Sequence, residues 1–522
     1  MELTRFMRMI PPQIVTAGMA TCLLASCGGG SDASGAGSGL NAGTPAPAWT
    51  PGNYPASTTF AGQCAAPRKG IDPTTGVAYV DKPGSAVWEN FWQRSWTHEF
   101  YLWYREVVDR DPALYTTAAY FDTQKTTAIT ASGKPKDQFH FTYPTEVWVA
   151  LSQAGVSSGY GAEWAVLSGT PPRVVQVAYT EPNSPAVSVN LTRGAKVLQV
   201  DGVSIDSNTS SGVDTLNAGL FPAGAGETHT FLIRELNGTQ RSIAMTSASV
   251  TSQPVYMLFN SHLATAESLL VNAFTQLQQA NVTDLVLDLR YNGGGYLAIA
   301  SEVAYMIAGG SATSGRVFER TVFNDQYAPT LNPLTGGSNA PMPFFTTTVL
   351  NPGTALPTLN LSRVFVITGA DTCSASESII NSLRGIGMTV IQIGDTTCGK
   401  PYGFYAQDNC GTTYFSIQFQ GVNDAGFGNY ADGFAPNNMN TGAGSSLPGC
   451  AVADDFTQAL GSTTENRLEA ALYYRDHNAC SPSISLAQRP QVQQITGDTG
   501  EALTVPGQPW RENRILGLPG NP

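Results

Sequence analysis

RVFVITGADTCSASESIINSLRGIGMTVIQIGDTTCGKPYGF, residues Arg363 to Phe404, holds two apolar runs on either side of a segment with helical spacing. Val364-Phe365-Val366-Ile367 predicts a buried strand, and Gly369-Ala370-Asp371-Thr372 a turn. Ser374-Ala375-Ser376-Glu377 then opens a helix whose apolar positions are Ile379, Ile380 and Leu383, and Gly385 and Gly387 end it. Val390 to Ile393 predicts the next strand. A strand–helix–strand unit of this kind implies a parallel pair with a right-handed crossover. Ser374 falls at the strand-to-helix corner, where helix N–H groups lack intrahelical acceptors. Lys400 falls just beyond the second strand. The two positions can meet, which is what a serine nucleophile with a lysine base requires. The same residues have a plainer reading. Ser374-x-x-Glu377 is also a capping box, and Lys400 an ordinary surface lysine.

The remaining composition bounds the chain. At 522 residues it has room for two or three domains, and 42% hydrophobic residues supply real cores. Only 13% are charged, and the formal net charge of −12 argues against nucleic acid as a partner. Arg5 and Arg8 precede a short apolar run, Ile10 to Leu24, that is too short and interrupted for a dependable membrane span. It ends in Leu24-Ala25-Ser26-Cys27, which resembles a bacterial lipobox. That implies a signal peptide over 1–26, a lipid anchor on Cys27, and a protein of the cell envelope facing the periplasm or the outer surface. The plainer alternative is a secretory signal with a cysteine near its end. Of the eight cysteines, Cys64, Cys373, Cys398, Cys410, Cys450 and Cys480 then remain. An even number in an exported chain points to disulfides. Their spacing is not that of a zinc site, and neither metal nor cofactor is expected.

Residues 27–63 are rich in Gly, Ser, Ala, Thr and Pro and read as a flexible tether. Ser85 to Val108 has helical spacing with dense aromatics, and with Phe139 to Leu151 it defines an N-terminal helical region over 64–151. From 152 to 250 short strands alternate with turns, and Asp201-Gly202 marks a two-residue hairpin. From 251 to 480 the pattern is α/β. It comprises a strand Val255 to Phe259, a helix Thr265 to Gln279, and a buried strand Leu285 to Leu289. The glycine turn Asn292-Gly293-Gly294-Gly295 follows, and then a helix from Tyr296 to Ile307. Phe318 to Leu361 is poorly patterned, Thr412 to Gln420 reads as one strand, Glu465 to Arg475 as a helix, and 481–522 as a polar, extended tail.

Thr372-Cys373-Ser374-Ala375-Ser376-Glu377-Ser378, followed by Gly394-Asp395-Thr396-Thr397-Cys398-Gly399-Lys400, resembles the nucleophile and lysine motifs of the C-terminal processing (tail-specific) serine peptidases. The glycine turn with Asp288-Leu289-Arg290 is similar to that family's Asp-Leu-Arg-x-Asn-Gly-Gly motif, and Asn183-Ser184-Pro185-Ala186 resembles part of a PDZ core. The resemblance implies a multidomain α+β and α/β chain: a crotonase/ClpP-like α/β peptidase core, an inserted PDZ-like β domain and an N-terminal helical region. It implies Ser374 as nucleophile, with Ser376 the competing assignment, and Lys400 as general base. The oxyanion hole would come from Ala375 with Gly293 or Gly294. Ser158, Gly159, Tyr160 and Gly161 would form a carboxylate-binding loop, and the strand from Ala162 would hold a peptide by β-augmentation. The family's glutamine four residues after the lysine is Phe404 here. If Ser374 and Lys400 meet, Cys373 and Cys398 are neighbours, with Cys398–Cys410 the alternative pairing.

Two further readings stay open. A Ser-His-Asp enzyme would take His262, placed between a strand end and a helix, as its base. A non-catalytic peptide-binding lipoprotein on the same scaffold would have no need of Ser374 and Lys400 together. An unperturbed lysine, with a pKa of about 10.4, is protonated at neutral pH. A lysine base must therefore sit in an apolar cleft that disfavours its ammonium form.

Overall fold

The computed structural model describes residues 47–482, apart from 73–75, 155, 182–183, 223, 252–256 and 440–443, and also residues 514–515. The signal peptide expected over 1–26, Cys27 and most of the expected tail lie outside the described residues. The expected tether gives way before residue 63. Trp49 Nε1 donates to Asp109, Tyr54 stacks on His98, and Arg94 donates to the carbonyls of Thr50 and Asn53. A disulfide joins Cys64 to Cys410.

Four parallel strands form the central sheet, in the order Val286–Asp288, Arg363–Thr368, Thr389–Gly394, Gly449–Ala451. The apolar runs are continuous because both faces are covered. Val364, Val366 and Val390 pack with Ile379, Ile380 and Leu383 of helix Ala375–Gly385 and with Val303 and Ile307 of helix Leu297–Thr313. Phe365, Ile367, Ile391 and Ile393 face the other way, onto Ala470 and Ala471 of helix Asn466–His477. The strand period of two thus sorts one apolar run into two cores. Gly387, at φ +83°, closes the helix after Ser374, its N–H donating to Arg384 O.

Several boundaries differ from expectation. The aromatic helix stops at Phe100, since Leu102 N–H donates to Ile417 O instead of continuing the helix. The segment after Phe139 begins as a strand, Phe141–Pro144, paired with Thr412–Phe415. The single strand expected over Thr412 to Gln420 is two, the second being Phe419–Val422. The poorly patterned region contains strand Val317–Phe323, which pairs with it. Val255 and Tyr256 of the strand expected over Val255 to Phe259 lie outside the described residues, while Leu258 forms a parallel bridge with Asp288 and Phe259 N–H donates to Asp288 O at 3.0 Å.

Between residues 156 and 251 an antiparallel sheet runs in the order Gln240–Thr246, Thr228–Arg234, Lys196–Val200, Val174–Thr180, Ala162–Ser168. Asp201 and Gly202, at φ +49° and +79°, turn the predicted hairpin. A helix that the alternating pattern did not predict, Ser210–Leu220, buries Leu216 and Leu220 against Phe231. Strands Val156–Gly159 and Ala248–Thr251 pair at the neck.

Beside the central sheet lies a buried carboxylate pair, Glu267 and Glu302, each 1% exposed. Glu267 accepts N–H bonds from Val349, Leu350 and Asn351, and Glu302 accepts from Val349. Burial, and then the adjacent Glu267 carboxylate, push the Glu302 carboxyl up to about 8. The folded chain therefore holds a proton that the unfolded chain releases above its ordinary pKa of about 4.3. This contribution is fully present at lower pH and is lost as pH rises through 8, at about 1.4 kcal/mol per pH unit. Glu302→Gln should remove that slope. Thermal midpoints of variant and parent should diverge in the variant's favour from pH 5 to 8, and parallel curves would contradict this.

Candidate active site

Ser374 sits on the turn between strand Arg363–Thr368 and helix Ala375–Gly385, at φ +59° and ψ −114°. A non-glycine residue held there carries strain of about 1–3 kcal/mol, kept only where surrounding contacts enforce it. They do so here. Ser374 N–H donates to Glu377 at 3.0 Å, Cys373 N–H to Asn292 O at 3.0 Å, and Cys373 is bonded to Cys398 with Cα atoms 5.2 Å apart. The expected Cys373–Cys398 pairing is thus the one present, Cys410 being taken by Cys64, and Cys450 bonds Cys480.

Glu377 ties the two motifs together. Its fully buried carboxylate also accepts the Thr397 hydroxyl, Gly399 N–H at 2.9 Å and Lys400 N–H at 2.8 Å. The capping-box glutamate therefore bridges the main chains of Ser374 and Lys400. Burial raises its pKa, while the Thr397 hydroxyl and three N–H groups oppose the rise. Cys373, Glu377 and Cys398 gather within metal-ligand distances, but both sulfurs are committed to the disulfide.

Lys400 is fully buried. Its Nζ lies 4.4 Å from the ring centre of Phe139 and 4.7 Å from that of Phe404. Phe404, standing where the resemblance implies glutamine, offers a ring face rather than an amide. Phe139, which sequence reasoning did not single out, brings the N-terminal region to the site. Ser374 Oγ is buried and has no hydrogen-bond partner among the described residues, so it is not bonded to Lys400 Nζ. Serine–base contacts in ligand-free sites commonly tighten only in the substrate complex. The rival serine, Ser376, donates its hydroxyl to Asn292 O at 2.9 Å.

The glycine turn lies against this corner. Asn292, quoted with the turn in the sequence but given no role of its own there, organises it. Its Nδ2 donates to Phe259 O, and its Oδ1 accepts Gly294 N–H at 3.0 Å and contacts His262 Nδ1 at 3.1 Å. A short amide between a strand end and glycines is the available signal for such a turn. Gly294 N–H is thus committed to the Asn292 side chain, which counts against it as an oxyanion donor. Ala375 N–H, in the first helical turn, has no acceptor within its helix. His262 is fully buried, which pushes its pKa down to about 3. Its ring is oriented by an amide rather than a carboxylate, and Nε2 has no partner among the described residues.

Arg290 anchors the strand before the turn. Fully buried, it meets Asp288, Asp454 and Glu465, each at 2.8 Å. Asp454, held well below the usual carboxylate range by Arg467, Arg290 and Arg193, also accepts from Tyr291 OH and from Arg193 of the antiparallel domain. In that domain Tyr160 is buried, its hydroxyl donating to Gly219 O. The carbonyls of Tyr160 and Gly161 accept Ala186 and Glu181 N–H groups. Ala162–Ser168 forms the sheet edge beside this loop.

Over 270 residues the chain is 25% identical to a carboxyl-terminal-processing protease of Picosynechococcus sp.. The match covers 48% of this chain and 56% of that relative, so the chain spans little more than half the relative's length. The crystal structure of a Bacteroides fragilis protein assigned to the S41 proteases aligns with a TM-score of 0.51 at 21% identity, covering 74% of this chain and 97% of that one. At that identity the likeness speaks for the fold alone. A photosystem II D1 C-terminal processing protease aligns more loosely, with a TM-score of 0.37 at 18% identity over 68% of this chain and 86% of that one. Residues 255–403, which include the glycine turn, Ser374 and Lys400, match the family model Peptidase family S41. The chain therefore carries, over those residues, a domain of peptidase family S41.

Proposed function

We propose that this chain is a serine endopeptidase acting on polypeptides, on the exported and lipid-anchored form that the Leu24-Ala25-Ser26-Cys27 sequence implies. Ser374 Oγ attacks the scissile carbonyl while Lys400, as the neutral amine, takes its proton. Collapse of the tetrahedral adduct breaks the C–N bond, and Lys400 returns the proton to the leaving amine. Water then hydrolyses the acyl-enzyme by the same route. Ala375 and Gly293 N–H groups face the developing oxyanion. The observation that carries this reading is the Glu377 carboxylate, which fixes the main chains of Ser374 and Lys400 together beside a strained, unpaired serine hydroxyl. His262 fits a base less well, since burial without a carboxylate partner disfavours its imidazolium.

The antiparallel domain is read as the PDZ-like module. Gly159, Tyr160, Gly161 and Ala162 would receive a substrate C-terminus, and the edge strand Ala162–Ser168 would pair with it. Peptides with a free apolar C-terminus should then be cut faster than the same peptides amidated, with the difference residing in KM. Equal kinetics for the two forms would remove the carboxylate-reading role.

A further inference from the structure

Arg514 and Ile515, near the far end of the tail, form a strand that pairs in parallel with Gly295–Tyr296, Arg514 opposite Gly295 and Ile515 opposite Tyr296. Gly295 immediately follows the Gly293–Gly294 turn. The same two tail residues also lie against Tyr402–Gly403, just past Lys400. The tail strand therefore lies against both the segment that follows the glycine turn and the segment that follows Lys400. Among the described residues it belongs to no other sheet, so it does not extend the architecture of the core.

The receiving edge is built for such pairing. Gly295 stands at φ +134°, and its inner side bridges His262, where a Cβ would meet the His262 carbonyl. His262 N–H donates to Gly294 O and Tyr296 N–H to His262 O. These bonds fix one edge of the segment inward and leave the other to the tail. Main-chain pairing of an extended segment on a preset edge holds a peptide with little demand on its side chains.

We propose that the strand Arg514–Ile515 is an intramolecular peptide ligand of the active-site groove and competes with substrates for it. The consequence for turnover rests on the peptidase reading, whereas the occupancy itself does not. A ligand carried on the same chain needs little intrinsic affinity, because attachment keeps its local concentration high.

The test compares the full chain with a chain ending at Asn513 and with Ile515→Pro, whose missing N–H weakens strand pairing. Hydrogen exchange of the peptide spanning Gly293 to Leu297 reads occupancy, and the labelling rate with a fluorophosphonate reads access to the nucleophile. Both variants should exchange faster at this segment. Labelling should quicken by about tenfold if the groove is occupied about nine-tenths of the time. Adding the synthetic peptide of residues 511–522 should reverse both effects in the truncated chain. Unchanged exchange and labelling would overturn the proposal. So would a truncated chain that labels more slowly and melts at lower temperature, the behaviour of a strand that only completes the fold. If exchange responds to truncation and peptide but no form is labelled at Ser374, the ligand stands and the peptidase reading falls.

Discussion

Lys400→Arg should lose peptide hydrolysis as completely as Ser374→Ala, on the order of 10⁴-fold or more in kcat/KM. A guanidinium stays charged at every accessible pH and cannot take the serine proton. The substitution is otherwise mild, because the cationic head would still lie over the ring faces of Phe139 and Phe404. Both variants should therefore melt near the parent temperature and still bind peptide, so that the loss falls on kcat. Chelators should leave the parent unaffected. Activity of Lys400→Arg within tenfold of the parent would show that the lysine is not the base.

Arg290→Ala should cost about 3–5 kcal/mol of folding stability, read from denaturant unfolding, because it strands buried carboxylates. Asp288, Asp454 and Glu465 converge on this one guanidinium, and Glu465 is itself fully buried. Arg290→Lys should rescue little, since a point charge cannot satisfy the fork geometry. The network also reaches Arg193 of the antiparallel domain through Asp454 and Tyr291. The loss should therefore loosen the contact between that domain and the core along with the glycine turn. A loss below about 1 kcal/mol would place the network among marginal surface pairs.

The central strands and the helix after Ser374 were legible because their apolar residues are buried on both sides of a parallel sheet, which leaves an unbroken run in the sequence. The Asp201–Gly202 hairpin was legible because its two left-handed residues restrict the choice of side chains. The end of the aromatic helix was not, because Tyr101, Trp103 and Tyr104 continue the apolar pattern after the backbone has turned away to Ile417. Glu377 read as a local cap, which it is. Its second role depends on Gly399 and Lys400 arriving from another loop, and spacing along the chain does not encode that. Phe139 and two of the partners of Arg290 were hidden for the same reason, Asp454 and Glu465 lying 164 and 175 residues beyond it. Gly294 looked equivalent to Gly293 until the Asn292 side chain claimed its N–H. The pairing of the tail with Gly295–Tyr296 leaves no mark on a polar, weakly patterned segment.

The most direct measurement is peptide mapping of the protein after reaction with a fluorophosphonate, in the parent, in Lys400→Ala and in His262→Gln. The account predicts an adduct on Ser374 in the parent and in His262→Gln, and none in a folded Lys400→Ala. An adduct on another serine, or normal labelling of Lys400→Ala with none in a folded His262→Gln, would contradict it.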